Sequence, residues 1–125
     1  YEEGTWDVTI ANGSVYANYN KMSYTKIGRV VHISGQFRCD GASSDVAITN
    51  LPFTVASHSE GEGYTCLPVY SHGNDYSDDI DYIVGYASPG STQLEIRGIR
   101  DGSATVTVNG SSSGYFMVGG SYFAA

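Results

Sequence analysis

The clearest periodicity in the chain lies at residues 31–37, where Val31, Ile33 and Phe37 alternate with His32, Ser34 and Gln36, and Gly35 falls in the apolar register. A period of two is what a strand buried on one side produces, so the pattern predicts a central strand of an antiparallel sheet. Just before it, Gly28 marks a reversal, and residues 24–27 are expected to pair with the strand that follows. Residues 5–10 alternate in the same way, with Trp6, Val8 and Ile10 set against Thr5, Asp7 and Thr9. Asn12-Gly13 then suits a type I′ turn, which predicts residues 14–19, with Tyr16 and Tyr19, as the hairpin partner of that first strand.

Beyond the central strand, residues 38–44 read as a polar connection and residues 45–49 as an extended segment that stops at Leu51-Pro52-Phe53. Proline has no donor for a ladder, so Leu51 and Phe53 are expected at a buried corner. Residues 64–70 read as a strand interrupted at Pro68, which places it near an edge. Further strands are expected at 82–86, at 93–97 with Leu94 and Ile96 inward, at 104–108 with Val106 and Val108 inward, at 115–118 and at 121–123. The 3.6-residue spacing of an amphipathic helix is missing throughout, and short strands recur between turn dipeptides. The prediction is all-β: a single domain over residues 1–125, built as a jelly-roll-like antiparallel β-sandwich.

Composition sharpens this. The chain has 125 residues with 16 Gly and 11 Tyr, a turn-rich β composition, and a formal net charge of -7. With only 6 Lys and Arg, it lacks the electrostatic drive for phosphate-backbone recognition, so nucleic acid is rejected as a partner. No apolar run reaches the length of a membrane span, and membrane insertion is not expected. Tyr1-Glu2-Glu3 reads as the start of a domain cut from a longer chain. Cys39 and Cys66 are compatible with one bridge, but two free thiols are the favoured expectation.

Gly4-Thr5-Trp6, then residues 24–31 as Tyr-Thr-Lys-Ile-Gly-Arg-Val-Val with Gly35 following, Ile48-Thr49-Asn50-Leu51-Pro52-Phe53, and Gly120-Ser121-Tyr122-Phe123 occur in that order. Together they resemble the C-terminal domain at the tips of tailed-phage tail fibres and tailspikes. The resemblance implies a homotrimer carried on the virion, which closes the fibre and attaches to a carbohydrate of the host surface without enzymatic activity. Trp6, Tyr24, Gly28, Gly35, Leu51, Pro52 and Phe53 are then fold residues, while Asp7 and the loop from His72 to Asp81 depart from the pattern. Two alternatives stay open: a purely structural trimerisation cap, and a carbohydrate-binding module appended to an upstream polysaccharide depolymerase.

The candidate chemistry is concentrated in residues 70–82. Sugars present C–H faces that pack on aromatic rings and hydroxyls that need carboxylate or amide partners. Tyr70, His72, Asn74, Asp75, Tyr76, Asp78, Asp79, Asp81 and Tyr82 supply both kinds of group. A solvated acidic loop is the plainer reading of the same residues. The spacing does not match an EF-hand loop, the histidines lack paired spacing, and neither a metal nor another cofactor is expected. Adjacent Asp78 and Asp79 would face opposite sides of a strand, and Ser121 and His32 lie in no nucleophile motif, so catalysis is not expected. The overall acidity points to a neutral or cation-bridged glycan.

Overall fold

In the computed structural model, residues 1–40, 44–57, 59–74, 80–102 and 106–125 are described. Among these residues ten strands form in chain order: β1 (Glu2–Asp7), β2 (Ser14–Val15), β3 (Lys21–Ile27), β4 (Val30–Asp40), β5 (Ala47–Ile48), β6 (Thr65–His72), β7 (Tyr82–Ala87), β8 (Leu94–Ile99), β9 (Val106–Thr107) and β10 (Tyr115–Phe123). A 3₁₀ turn at Gly61–Gly63 precedes β6. The described pairings are all antiparallel and run in the order β1-β3-β4-β10-β6-β7-β8-β5, with β2 on β4 and β9 on β8. The fold is the antiparallel β-sandwich that the alternation predicts. Among the described residues no helix is long and apolar enough to cross a membrane.

The sheet turns from one layer to the other within β6. Residues 69–72 of that strand pair with β10, whereas residues 65–68 pair with β7. Pro68 stands at the changeover, where a residue without an N–H does least harm to a continuous ladder. The edge position expected for this strand is therefore corrected: β6 lies inside the sheet, and proline marks the bend.

The sandwich also closes on itself. Just after β1, Ile10 bridges Ile48, and the Ala11 and Thr49 amides donate to Ala47 and Thr9 carbonyls at 3.0 and 2.9 Å. Asn50 completes the seam with its side chain, because Oδ1 accepts from Thr9 N–H at 2.9 Å and Nδ2 donates to the Asp7 carbonyl at 2.8 Å. The hairpin expected at Asn12-Gly13 does not form between neighbouring segments. Asn12 does take a positive φ of 60°, but β1 pairs with β3 and β2 pairs with β4. Local turn chemistry is overridden by the larger hydrophobic face that β3 offers.

The reversal at Gly28 is the one that holds. Ile27 faces Val30 across a two-residue turn in which Gly28, at the first central position, has φ 60°, as a type II′ hairpin requires. From there Val31, Ile33, Phe37 and Cys39 point inward in β4, against Phe116, Val118 and Tyr122 of β10. β4 runs three residues past the expected end at Phe37, and Cys39 is wholly buried rather than part of a polar connection. Both cysteines are free thiols, Cys39 buried and Cys66 exposed. Trp6, Tyr24 and Phe53, which the sequence separates widely, meet at the rim with ring centroids 6.4 and 5.3 Å apart.

Two buried groups make the fold sensitive to alkali. Burial pushes the Tyr122 phenol up to about 12 and the Cys39 thiol up to about 11. In each case the folded chain holds a proton that the unfolded chain releases at lower pH, so stability is present in full at neutral pH and is lost as pH rises. The loss starts near pH 9 for Cys39 and spans about 10 to 12 for Tyr122. Thermal melts taken through this range are expected to show a falling Tm. Tyr122→Phe, which cannot ionise, should flatten the upper part of the decline; an unchanged slope would refute the assignment.

Candidate functional site

Alternation in a sheet that is buried on one side leaves the opposite set of side chains as a surface. On the layer made by β6, β10 and β4, that surface carries an unusual set of groups. Register places Tyr115 between His72 and Arg38, and Met117 between Tyr70 and Gln36. The next outward positions are small, with Gly119 opposite Ser34. The result is a shallow trough of about 490 Å³, walled by Pro68, Tyr70, Met117 and Gln36. Tyr70 is 55% exposed and Met117 46% exposed, a large apolar area for an outward face.

The rings at one end of the trough are ordered by contact. His72 stacks on Tyr115 with centroids 5.1 Å apart and planes 25° from parallel, and Tyr70 lies 6.3 Å from Tyr115. The Arg38 guanidinium sits 5.4 Å from the Tyr115 centroid and 4.0 Å from that of Tyr19. Backbone bonding sets the second of these distances. Arg38 N–H donates to Tyr19 O, Tyr16 N–H donates to Arg38 O, and Tyr19 N–H closes the turn onto Tyr16 O, each at 3.0 Å. Residues 16–19 thus wrap across the outward side of β4 and lay a ring over the guanidinium. Cation–π contact of this kind holds an arginine in place while leaving its N–H donors available.

Beside this stack lies a second cleft of about 380 Å³, lined by Tyr16, Ala17, Asn18, Tyr19, Arg38 and Ser113. The Tyr16 hydroxyl lies 3.5 and 3.4 Å from the Ser112 and Ser113 hydroxyls, and those contacts lower the Tyr16 phenol from its ordinary value. Ser113 has φ 66°, a left-handed backbone that a side chain makes unfavourable. Ser113→Gly is expected to stabilise the domain by roughly 1 kcal/mol, read as a higher urea midpoint. A lower midpoint would show that the hydroxyl contributes more to the fold than the strain removes.

The predicted site residues divide. Tyr70 and His72 stand together on the outward face of β6. Asp75, Tyr76, Asp78 and Asp79 lie outside the described residues. Asn74 faces inward to the loops: its Nδ2 donates to Ser71 Oγ, His72 O and Tyr115 O at 2.9, 3.4 and 3.2 Å, and its Oδ1 accepts from Ser111 N–H at 2.9 Å. That carboxamide is engaged in joining β6 to β10. Asp81 is likewise occupied, accepting from Asp101 N–H at 3.1 Å, and Tyr82 begins β7 opposite Ile99, with its ring exposed. Among the described residues, no group of three or more His, Cys, Asp or Glu side chains gathers to hold a metal.

Tyr115, Arg38, Tyr19 and Met117 complete the face; the sequence places Tyr19 in a hairpin and Tyr115 in a strand but assigns none of the four to a site. The alternation of Tyr115 and Met117 with Phe116 and Val118 is a signal for β10 alone, and it carries no sign of which strands flank it. The chain matches no protein-family model, and no curated protein or solved structure matches it either.

Proposed function

We propose that this domain is a non-enzymatic glycan-binding module of a phage tail fibre or spike tip, acting at the host cell surface as part of a homotrimer. The observation that carries the reading is the outward cluster of Tyr70, His72, Tyr115 and Arg38 beside a trough of small residues. Aromatic rings give the apolar faces of a pyranose something to pack on, and Arg38, His72 and Gln36 give its hydroxyls hydrogen-bond partners. A shallow site of this type binds weakly alone. Three copies on one fibre raise the effective concentration of the second and third contacts without adding any new one.

The trimer part of the reading draws on a second feature. Ile27, Val30 and Phe123 lie in one row across β3, β4 and β10, and are 61%, 41% and 50% exposed. Large apolar side chains in a contiguous row are what a subunit contact covers. A structural cap is the alternative that this row favours, with recognition placed elsewhere in the fibre.

Light scattering and a glycan array separate these readings. The proposed function expects a mass three times that of the 13.3 kDa chain, binding to a restricted set of bacterial-envelope glycans, and loss of that binding in folded Tyr70→Ala and Tyr115→Ala. A stable trimer that binds nothing on the array would leave the cap reading in place. A monomer that binds would retain the module and remove the trimer.

A further inference from the structure

Among the described residues, Lys21, Lys26 and Arg97 pair with Asp7, Glu2 and Glu95 at 2.7, 4.0 and 2.9 Å, and Arg29 donates from Nε to the Ala124 carbonyl at 3.1 Å. Arg38 differs from all of these. Its Nε reaches the Gln36 Oε1 at 3.4 Å, a long and weak contact, and among the described residues no carboxylate pairs with it. It is held instead between two tyrosine rings, at the boundary between the trough and the cleft formed by residues 16–19 and Ser113. A guanidinium has five N–H donors in a planar fork, and ring stacking uses none of them.

In an acidic protein of net charge -7, a guanidinium with no carboxylate partner among the described residues, fixed on rings at the mouth of a cleft that also carries the Tyr16 and Ser113 hydroxyls and Asn18, has the elements of an anion site. We propose that Arg38 receives the carboxylate of an acidic sugar, and that the preferred ligand class is a saccharide containing uronic or nonulosonic acid. This rests on the glycan-binding reading above and narrows it. In the complex, Tyr115 and Tyr70 pack against the pyranose ring next to the acid, while the carboxylate lies against the Arg38 fork. Tyr16, Ser113 and Asn18 line the cleft and face the remaining hydroxyls.

The overall acidity argues against an anion, but distance decides the balance. Charges on the far side of the domain are screened beyond about 8 Å at physiological ionic strength, whereas a guanidinium in contact with a carboxylate is not. Asp40, which follows Arg38 on the same outward side of β4, is exposed, and its charge reaches Tyr16 in the cleft, so it is the nearby acid that an anion there must outweigh. One cation also limits the ligand. A carboxylate brings a single negative charge that Arg38 neutralises, whereas a phosphate monoester brings nearly two and would leave one uncompensated. The same count makes a neutral glycan a poorer partner, since it would cover the guanidinium without giving it an acceptor of matching strength.

The test uses a panel of acidic oligosaccharides, each matched by its carboxyl-reduced counterpart, titrated into the full domain by calorimetry. The wild type is expected to bind at least one acidic member roughly 10- to 100-fold more tightly than its reduced form. Arg38→Gln should bring the two to within about 3-fold, and Arg38→Lys should recover only part of the preference, because lysine keeps the charge and loses the fork. Matched pairs that bind the wild type equally would overturn the acidic class and leave the glycan reading intact. An Arg38→Gln variant that keeps the preference would overturn the role of Arg38. Binding to neither member of any pair would overturn both readings, and the wild-type comparison decides this even if a variant fails to fold.

Discussion

Replacing Gly114 by alanine is expected to destabilise the domain by roughly 3 kcal/mol. A Cβ at that position would stand 2.7 Å from the Asn74 side-chain carbon and closer still to its Oδ1, with the Gly73 carbonyl oxygen at 2.9 Å. The Gly114 backbone is not in the left-handed region, so the cost is one of space. The Asn74 side chain cannot swing away to provide that space. It is fixed by four hydrogen bonds that tie together Ser71, His72, Tyr115 and Ser111, and rotating it would break them. Chemical denaturation of the folded variant measures the loss.

Asn74→Ala should cost a similar amount, about 3 kcal/mol, for the opposite reason. Each hydrogen bond contributes on the order of 1 kcal/mol net, and truncation leaves the Tyr115 carbonyl and the Ser111 amide without the partner that joined them. The two substitutions are coupled. Once Asn74 is truncated, the nearest obstacle to a Cβ at Gly114 has gone, so the double variant should be less destabilised than the sum of the singles by roughly 2 kcal/mol. Additive costs would mean that Gly114 is constrained by the backbone of Gly73 rather than by the carboxamide. Because the joined segments carry Tyr115 and His72, both single variants should also weaken glycan binding, though neither side chain belongs to the proposed contact surface.

Much of the sandwich was legible where a strand is buried on one side only. Val31, Ile33 and Phe37 announced β4, and Leu94 and Ile96 announced β8, because period two is a direct consequence of one wet and one dry face. The errors came where the same local signal permits two outcomes. Asn12-Gly13 is a good turn but does not say which strand lies beyond it, and Pro68 forbids a ladder bond equally at an edge and at a bend. Gly119-Gly120 read as a break between two short strands, yet β10 passes straight through, with Gly120 lying 3.1 Å or more from Leu67 atoms where a Cβ would sit. The proposed binding face was the least visible part. Tyr70 and His72 advertised themselves in an acidic stretch, whereas Arg38, Tyr19 and Tyr115 are remote from it in sequence and are united only by cross-strand register.

The position of β10 has a consequence for how the chain is made. It is the last strand in sequence and stands in the middle of the sheet, between β4 and β6. A nascent chain that stops short of Tyr115 therefore holds the ladders β1-β3-β4 and β6-β7-β8-β5 without the strand that joins β4 to β6, and only the short seam around Ile10 and Ile48 links them. Native assembly must wait until β10 has been synthesised, and pairings between such distant segments form slowly. Tyr115 and Met117 arrive on that same segment, so an incomplete product presents neither the stacked rings nor the trough. On the proposed reading, glycan binding would therefore report that β10 has been made and has docked.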